Sequence, residues 1–597
     1  MTITAQIELT PATAPSGRGA PLRIGVVLDS SLRVPAWVAK LLAELGKSDD
    51  FAIATIVLAE APPTRGRGAA AFRAFSTLLF RAYTWADRRI FQRADDAWLA
   101  VDMTAWARGV PQVRLVAGHE RPQGLAADVL RELSAADLDV VLDFSSRDIP
   151  DDVAAAARCG VWSCHDGGPG RNAKMPPLVA AMYENHPVAE TVLRCRGGAD
   201  APARVLYRGV FSVNPSSLCA TRNTSAWNAA AYVLCRLGEL QRQGWTHLCS
   251  PETFAANDRH VEKTVHPPGN WTTLCLVARL LWRWLGRRMW QLRFEERWCI
   301  AIRSAKGGAS THNVEEVRFL TAEPDRSYAD PFLFRRGGRT FLFVEHISHP
   351  SWKGAIACLE LDAEGNWHGP QTVLSADYHF SYPFVFAWED DVYLLPESSA
   401  HRTLELYRAV EFPGKWTLDR VIMDDVVAVD ATIAPFDGRY WLFVNLLSPG
   451  KQIDQELHLF HSATPLGPWT PHARNPVCAD VRRARPAGRL FTCNGKLIRP
   501  SQDCSVRYGY GLVWNLVETL TPTDYREREI GRLEPNWLPG SRGVHTFVRD
   551  GDLEMVDVRY PVRRACCGVR RRQRPPALPQ TNHCQWLPAS LVEAVGT

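Results

Sequence analysis

Five stretches in the second half of the chain open on a residue that can ionise or hydrogen-bond, then run into an apolar pattern. They are DPFLFRRGGRTFLFVE from Asp330, YPFVFAWEDDVYLLPES from Tyr382, DATIAPFDGRYWLFVN from Asp430, RPAGRLFTCNGKLIRPSQD from Arg485 and HTFVRDGDLEMVD from His545. Carboxyls, a phenol, a guanidinium and an imidazole brought to one place would exchange protons and hydrogen-bond a polar ligand. Whether they meet depends on the elements that carry them. The openings lie 52, 48, 55 and 60 residues apart. Each is followed by a strand pattern, a Gly/Asp turn and a second strand rich in Phe, Tyr, Leu and Val. A hairpin repeating at this period is the signature of a β-propeller with about four strands to a blade. Five units give five blades, whose innermost strands converge on one axis. Asp330, Tyr382, Asp430, Arg485 and His545 would then ring a shared mouth. An Asp capping the turn before Pro331 explains the first opening alone; five openings in register favour the ring.

The first half has another texture. LRIGVVLD, DFAIATIVLAE, DLDVVLDFSS and GVWSCHDG read as strands, separated by helical patterns such as VPAWVAKLLAELG, ADVLRELSAA and IPDDVAAAARCG. Strands spaced by helices imply an α/β domain on a parallel sheet with helices on both faces. Ligands of such sheets sit beyond the carboxyl ends of the strands, which places Asp143 to Ser146 and His165 to Gly170 on the functional edge. The expected organisation is a flexible leader at 1–21, the α/β domain at 22–230, a helical connector at 231–297, the propeller at 298–562 and a basic, Pro-containing tail at 563–597.

At 597 residues the chain exceeds one core, and its 46% hydrophobic and 22% charged content is that of an ordinary globular protein. A net charge of +5 implies no broad basic face, so nucleic acid is not the expected partner. Fifteen scattered cysteines without a metal-spaced CxxC pair point to a reduced, cytoplasmic setting and to no metal site. The N-terminal stretch does not read as a secretory signal. GxGxxG, the P-loop pattern and HExxH are absent. No run of 18 uncharged apolar residues exists, so a spanning helix is not expected. WTTLCLVARLLWRWLGRRMWQLRFEERW, residues 271–298, is rich in Trp and Arg. It reads first as an amphipathic helix joining two domains and second as a segment lying on a membrane surface.

Two resemblances add to this reading. YADPFLF, FLFVEH, FSYPFVF, VYLLPESSAHRTLELYRA, VDATIAPFDGRYWLF, ARPAGRLF and RPSQDCSVRYG resemble, over about 300–560, the N-terminal domain of the plant glucosamine inositolphosphorylceramide transferases. That domain is similar to five-bladed glycoside-hydrolase propellers such as arabinanases and fructosidases. The resemblance implies carboxylate roles for Asp330 and Asp430. It departs at RPSQDCS, where those hydrolases place a glutamate as general acid; Glu345 and Glu397 are the candidates to replace it, each closing the second strand of its repeat. Hydrolysis needs two carboxyls flanking the bond, so sugar binding is better supported than cleavage. Tyr382, Glu397, Arg499, Gln502, Asp503 and His545 are the expected substrate-binding residues, with Trp388 and Trp441 as stacking candidates.

In the first half, DVVLDFSSRDIPDDVAAAARCGVWSCHDGGPGRNAKMPPLVAAMYENHPVAETVLR (139–194) resembles the formyltransferases that use 10-formyltetrahydrofolate. Their catalysis uses an Asn, a His two residues later and a downstream Asp. His165 falls on the His position, Ser163 on the Asn position and Asp200 near the Asp. A carboxylate-oriented His can take the proton of an attacking amine, and Ser163 can donate to the oxyanion from a shorter side chain. Together these imply formyl transfer from 10-formyltetrahydrofolate to an amino sugar, with the propeller holding the rest of a glycan or glycolipid precursor. The rival expectations are a propeller-based glycosidase or glycosyltransferase with a structural α/β domain, and a non-catalytic glycan-binding protein.

Overall fold

The computed structural model describes residues 20–60, 75–92, 95–116, 127–147, 149–167, 175–197, 203–248, 266–304, 317–448, 450–551, 553–564 and 586.

The apolar runs of the first half become the centre of a seven-stranded sheet. Its order is Gln112–Val116, Phe51–Glu60, Leu22–Asp29, Val140–Asp143, Val161–Gly167, Val188–Arg196, Arg204–Ser212. The first five strands are parallel. Ile24, Val26, Val27, Val140 and Val141 are fully buried, as a strand covered on both faces requires. The last two strands run antiparallel, so the sheet is mixed at this edge. Val188–Arg196 follows the helix Pro177–Glu184 by a short turn at Asn185, held left-handed at φ 61°.

Leu218–Gln243 is a 26-residue helix, started by Ser217, whose hydroxyl accepts from the Ala220 N–H, and stopped at Gly244. It buries Tyr232, Val233 and Leu237 against the sheet. The boundary expected at 230 therefore falls inside an element of the α/β module. A second long helix, Asn270–Arg293, leads directly into strand Phe294–Ser304.

From there the chain forms, among the described residues, five radial antiparallel sheets. Blade one is built from Arg326–Arg336, Arg339–Ser348, Lys353–Leu361 and Trp367–Leu374, and blade two from Ser381–Trp388, Asp391–Glu397, Leu404–Glu411 and Lys415–Met423. Blade three starts at Ala428–Phe436 and blade four at Phe491–Cys493. Blade five closes the circle. Its inner strands Phe547–Asp550 and Leu553–Arg563 pair with Phe294–Ser304 and Arg318–Leu320 from the other end of the module. The propeller thus starts at 294 rather than 298, and eleven consecutive residue pairs between 294–304 and 553–563 fasten the ring. The inner hairpins turn at Gly337-Gly338, Asp437-Gly438 and Asn494-Gly495, each pair with positive φ at both residues, the geometry that matches strand twist in two-residue turns. Within the tail, Trp586 is fully buried against Trp537 and beneath Arg303 in blade five, so that residue packs onto the propeller instead of standing in solvent.

Candidate active site at the propeller axis

The three aromatic-rich inner strands share a backbone irregularity at their mouths. Asp330, Tyr382 and Asp430 are held left-handed, at φ of 48°, 47° and 53°. The hairpin register slips at the same places, between Ala329 and Phe332, Ser381 and Phe384, and Val429 and Thr432. A bulge inserts one residue, re-aims a side chain and ends pairing. The left-handed conformation costs a non-glycine residue about 1–2 kcal/mol, and such positions collect where geometry serves a site. Fifteen residues after each stands Glu345, Glu397 or Asn445, paired with the residue just before the bulge. The second strand of each hairpin therefore returns a polar group to the same mouth.

These groups meet. Asp330 Oδ1 accepts from Thr546 Oγ1 at 2.7 Å and lies 3.5 Å from His545 Nε2, while Oδ2 accepts from the Tyr382 N–H at 3.2 Å. His545 Nδ1 is paired with Asp557, which also accepts from the backbone N–H of Asp330, His545 and Thr546. Asp430 Oδ2 accepts from Arg485 Nε at 2.6 Å and Gln502 Nε2 at 2.7 Å. Arg485 also donates to Asp454 at 2.6 Å and stands 3.7 Å from Glu397. Glu345 pairs with His379 at 2.9 Å. Asp330, Asp430, Gln502, His545 and Asp557 are buried, whereas Tyr508 is exposed and lies over Arg485 and edge-on to His545. The result is a buried polar floor with an aromatic rim.

Burial raises the Asp430 carboxyl to about 7; Arg485 opposes the rise and Glu397 adds to it. Burial likewise raises Asp330 and Glu345, partly opposed by His545 and His379 respectively. For His545, burial disfavours the cation, but Asp557 and Asp330 outweigh it and hold the ring at about 9. The hydrogen bond that the His379 ring donates to Glu345 lifts His379 to about 9. The floor thus holds imidazoles that favour the protonated form beside carboxyls raised above their usual range, Asp430 among them to about 7. Asp330, His545 and Asp557 bring ligand atoms within 4.8 Å of one another, a grouping that cysteine and histidine spacing in the sequence gave no sign of.

Not every expected residue reaches the floor. Arg499 is fully buried on the opposite face of its strand, Lys496–Asp503, and is spent on Glu527 at 2.7 Å and the Arg483 carbonyl. Asp503 turns toward the Ser505 N–H and Arg532. The Tyr382 hydroxyl is consumed between Thr432 Oγ1 and the Gly488 N–H, so it braces the axis from within. Trp388 and Trp441 lie at the far, turn ends of their hairpins, where Trp441 donates to the Phe436 carbonyl and Trp388 packs on Tyr440; they pack blades. Asp557, Thr546, Asp454, His379 and Tyr508 were not anticipated. Asp557 had a signal, a carboxylate at a buried position of MVDVRY; Asp454 and His379 lie in connections without pattern.

In the α/β module, Ser163 Oγ and His165 Nε2 lie 2.8 Å apart on one face of Val161–Gly167, near the carboxyl edge where Asp29 and Asp143 end neighbouring strands. Asp143 accepts from the Ser145 N–H and hydroxyl, and Asp29 from those of Ser146. Asp200, Arg171 and the Gly-rich loop after Gly167 lie outside the described residues.

A family model described as glucosamine inositolphosphorylceramide transferase 1, N-terminal, matches residues 318–538. Glucosamine inositolphosphorylceramide transferase 1 of Oryza sativa subsp. japonica is 38% identical over 208 residues, 34% of this chain and 28% of that protein. The chain therefore covers less than a third of that curated relative, and the span of the family model falls within the propeller. Among solved structures, a family 117 glycoside hydrolase from Zobellia galactanivorans shares 11% identity at a TM-score of 0.30, over 45% of this chain and 91% of its own. A formyltetrahydrofolate deformylase from Pseudomonas putida KT2440 shares 11% identity at a TM-score of 0.24, over 36% of this chain and 64% of its own. Scores at this level carry no functional weight.

Proposed function

We propose that the protein is a carbohydrate-active transferase whose propeller axis holds the saccharide part of a glycolipid-type substrate. One observation carries this reading: bulged inner strands bring Asp330 and Asp430 to a common buried floor with Arg485, Gln502 and His545. Among the described residues the mouth gathers six carboxyls (Asp330, Glu345, Glu397, Asp430, Asp454, Asp557) against three cationic groups (Arg485, His545, His379). That surplus of acceptors fits hydroxyls or a sugar ammonium. In blade four Gln502 stands beside Asp430, and an amide cannot act as the second proton donor that hydrolysis requires. Asp430, near neutrality, can take the proton of an acceptor hydroxyl as its oxygen bonds to the sugar's anomeric carbon and the bond from that carbon to its leaving group, the nucleoside diphosphate of a nucleotide sugar, breaks. The kinship of residues 318–538 to glycolipid-named transferases supports the same substrate class. The test is transfer and binding with a panel of nucleotide sugars and inositol-bearing glycolipids, using Asp330→Asn and Asp430→Asn. Either substitution should lower turnover by about 10²-fold or more. Full activity in both would remove the reading.

A second reading, formyl transfer to an amino sugar, is favoured by the Ser163–His165 pair at the sheet's carboxyl edge. That pair suits a proton acceptor beside a bound 10-formyltetrahydrofolate, which would supply the formyl group. His165 would take the amine proton, Ser163 would fix the imidazole, and Asp200 would be its carboxylate partner. Calorimetric titration with folates, repeated on His165→Ala, decides this independently of the axis.

A further inference from the structure

The helices Leu78–Phe91 and Asn270–Arg293 start side by side. Asn270 Oδ1 accepts from the Leu79 N–H and its Nδ2 donates to the Phe75 carbonyl. Thr273 and Leu276 of the longer helix are buried, the latter in a cluster with Phe80, Tyr83 and Phe211. Away from that face, an apolar stripe runs from Trp271 through Leu274, Leu281, Leu285 and Met289 to Leu292, all exposed. Its steps of three, four and seven are those of one helical face. Trp282, 78% exposed, and Trp284 widen it, and Trp85 and Ile90 continue it on the shorter helix.

The charge beside this stripe has one sign. The segment 270–293 carries five arginines and no acidic residue. Arg279 and Arg283 donate to the carbonyls ending helix Pro177–Glu184, and Arg287 to Ser216, which fixes the roll of the helix and keeps the stripe outward. No helix of the described residues is long and apolar enough to cross a membrane. We infer that this two-helix face docks on the surface of an anionic lipid bilayer, its tryptophans and leucines entering the headgroup boundary and the exposed Arg288 and Arg293 meeting lipid phosphates. A second copy of this face would set arginines against arginines. The far end of the longer helix adjoins the axial mouth. Trp290 lies under Arg542, Arg542 pairs with Glu296, and two residues on Trp298 stacks on His545 at 4.3 Å. Docking would therefore hold the mouth near the lipid surface, and this consequence alone rests on the glycolipid reading above.

The test uses the full chain with vesicles of phosphatidylcholine alone and of phosphatidylcholine with phosphatidylserine, without any sugar substrate, so it is independent of catalysis. Sedimentation should favour the anionic vesicles and weaken at high salt. Leu281→Glu with Leu285→Glu, both exposed in the folded protein, should reduce binding by about tenfold or more. Brominated lipid should quench tryptophan emission of the unmodified chain, a readout that needs no variant. Absence of binding to either vesicle, binding unchanged in the double variant, or a dimer abolished by the same substitutions would each overturn the inference.

Discussion

Arg485 Nε donates to Asp430 Oδ2 at 2.6 Å across 55 positions of sequence, joining the openings of blades three and four. Both side chains are buried, with Gln502, Asp454 and Glu397 completing the surroundings. Removing one member of such a pair strands the other charge. Arg485→Ala should destabilise the propeller by about 3–5 kcal/mol and push Asp430 further toward the protonated form. Urea unfolding of the variant, alongside the pH profile of saccharide binding, checks both halves. An unchanged midpoint would mean that the pair is not formed.

His545 gives a pH signature of definite sign. Its ring titrates near 9 in the folded protein against an ordinary value of 6.5, so between these values the native state holds more protons than the unfolded chain. Its contribution is therefore complete below pH 6.5 and is lost as the pH rises toward 9. The loss is on the order of 3 kcal/mol. Thermal melts at intervals across this window should show falling stability, and His545→Gln should flatten the slope.

Arg499 separates a structural from a ligand-binding role. Its guanidinium is fully buried on Glu527, away from the axis. Arg499→Met should lower stability by about 3 kcal/mol or more, because Glu527 is left unpaired, while saccharide affinity in the folded fraction stays within about twofold, since no ligand contact is lost. A selective loss of affinity at full stability would return Arg499 to the binding surface.

The convergence of Asp330, Asp430, Arg485 and His545 was legible because the blade repeat writes a polar opening at near-constant spacing; Tyr382 opens its strand in the same register, but its hydroxyl is spent inside the axis. What each side chain does was less so. A strand's faces alternate, so Gln502 reaches the axis while its neighbour Asp503 does not, and the motif RPSQD alone does not assign the faces. The left-handed bulges at Asp330 and Asp430 break the simple alternation, and although Asp tolerates that backbone better than most residues, its presence alone does not mark a bulge. Asp454 and His379 arrive from connections whose path depends on packing. In the first half, the parallel core followed from its uninterrupted apolar runs, whereas the antiparallel edge had no sequence signal, because the connection 168–187 is long enough for either direction.

The two modules should unfold together. A parallel bridge joins Val210 to Asp480, and Val481 donates to the Val210 carbonyl at 3.0 Å. Ser212 bonds to Gln452 through its backbone and to the Cys504 carbonyl through its hydroxyl. Gln455, fully buried, donates to the Tyr232 hydroxyl at 3.2 Å, and Arg474 of blade three stands 3.6 Å from Glu239 of the long helix. Buried polar groups of this kind lose their partners if the modules part, so separation carries a desolvation cost on the order of 1–3 kcal/mol for each. Calorimetry should therefore give one cooperative transition. Gly450 is the point at which to weaken it. Its backbone is left-handed at φ 76°, and a Cβ there would lie 2.1 Å from Trp227 Cδ1 in the long helix. Gly450→Ala adds both backbone strain and a clash, for a cost of about 1–3 kcal/mol, and should lower the single transition or split it in two. A variant that melts like the parent would show that the propeller does not press on the long helix.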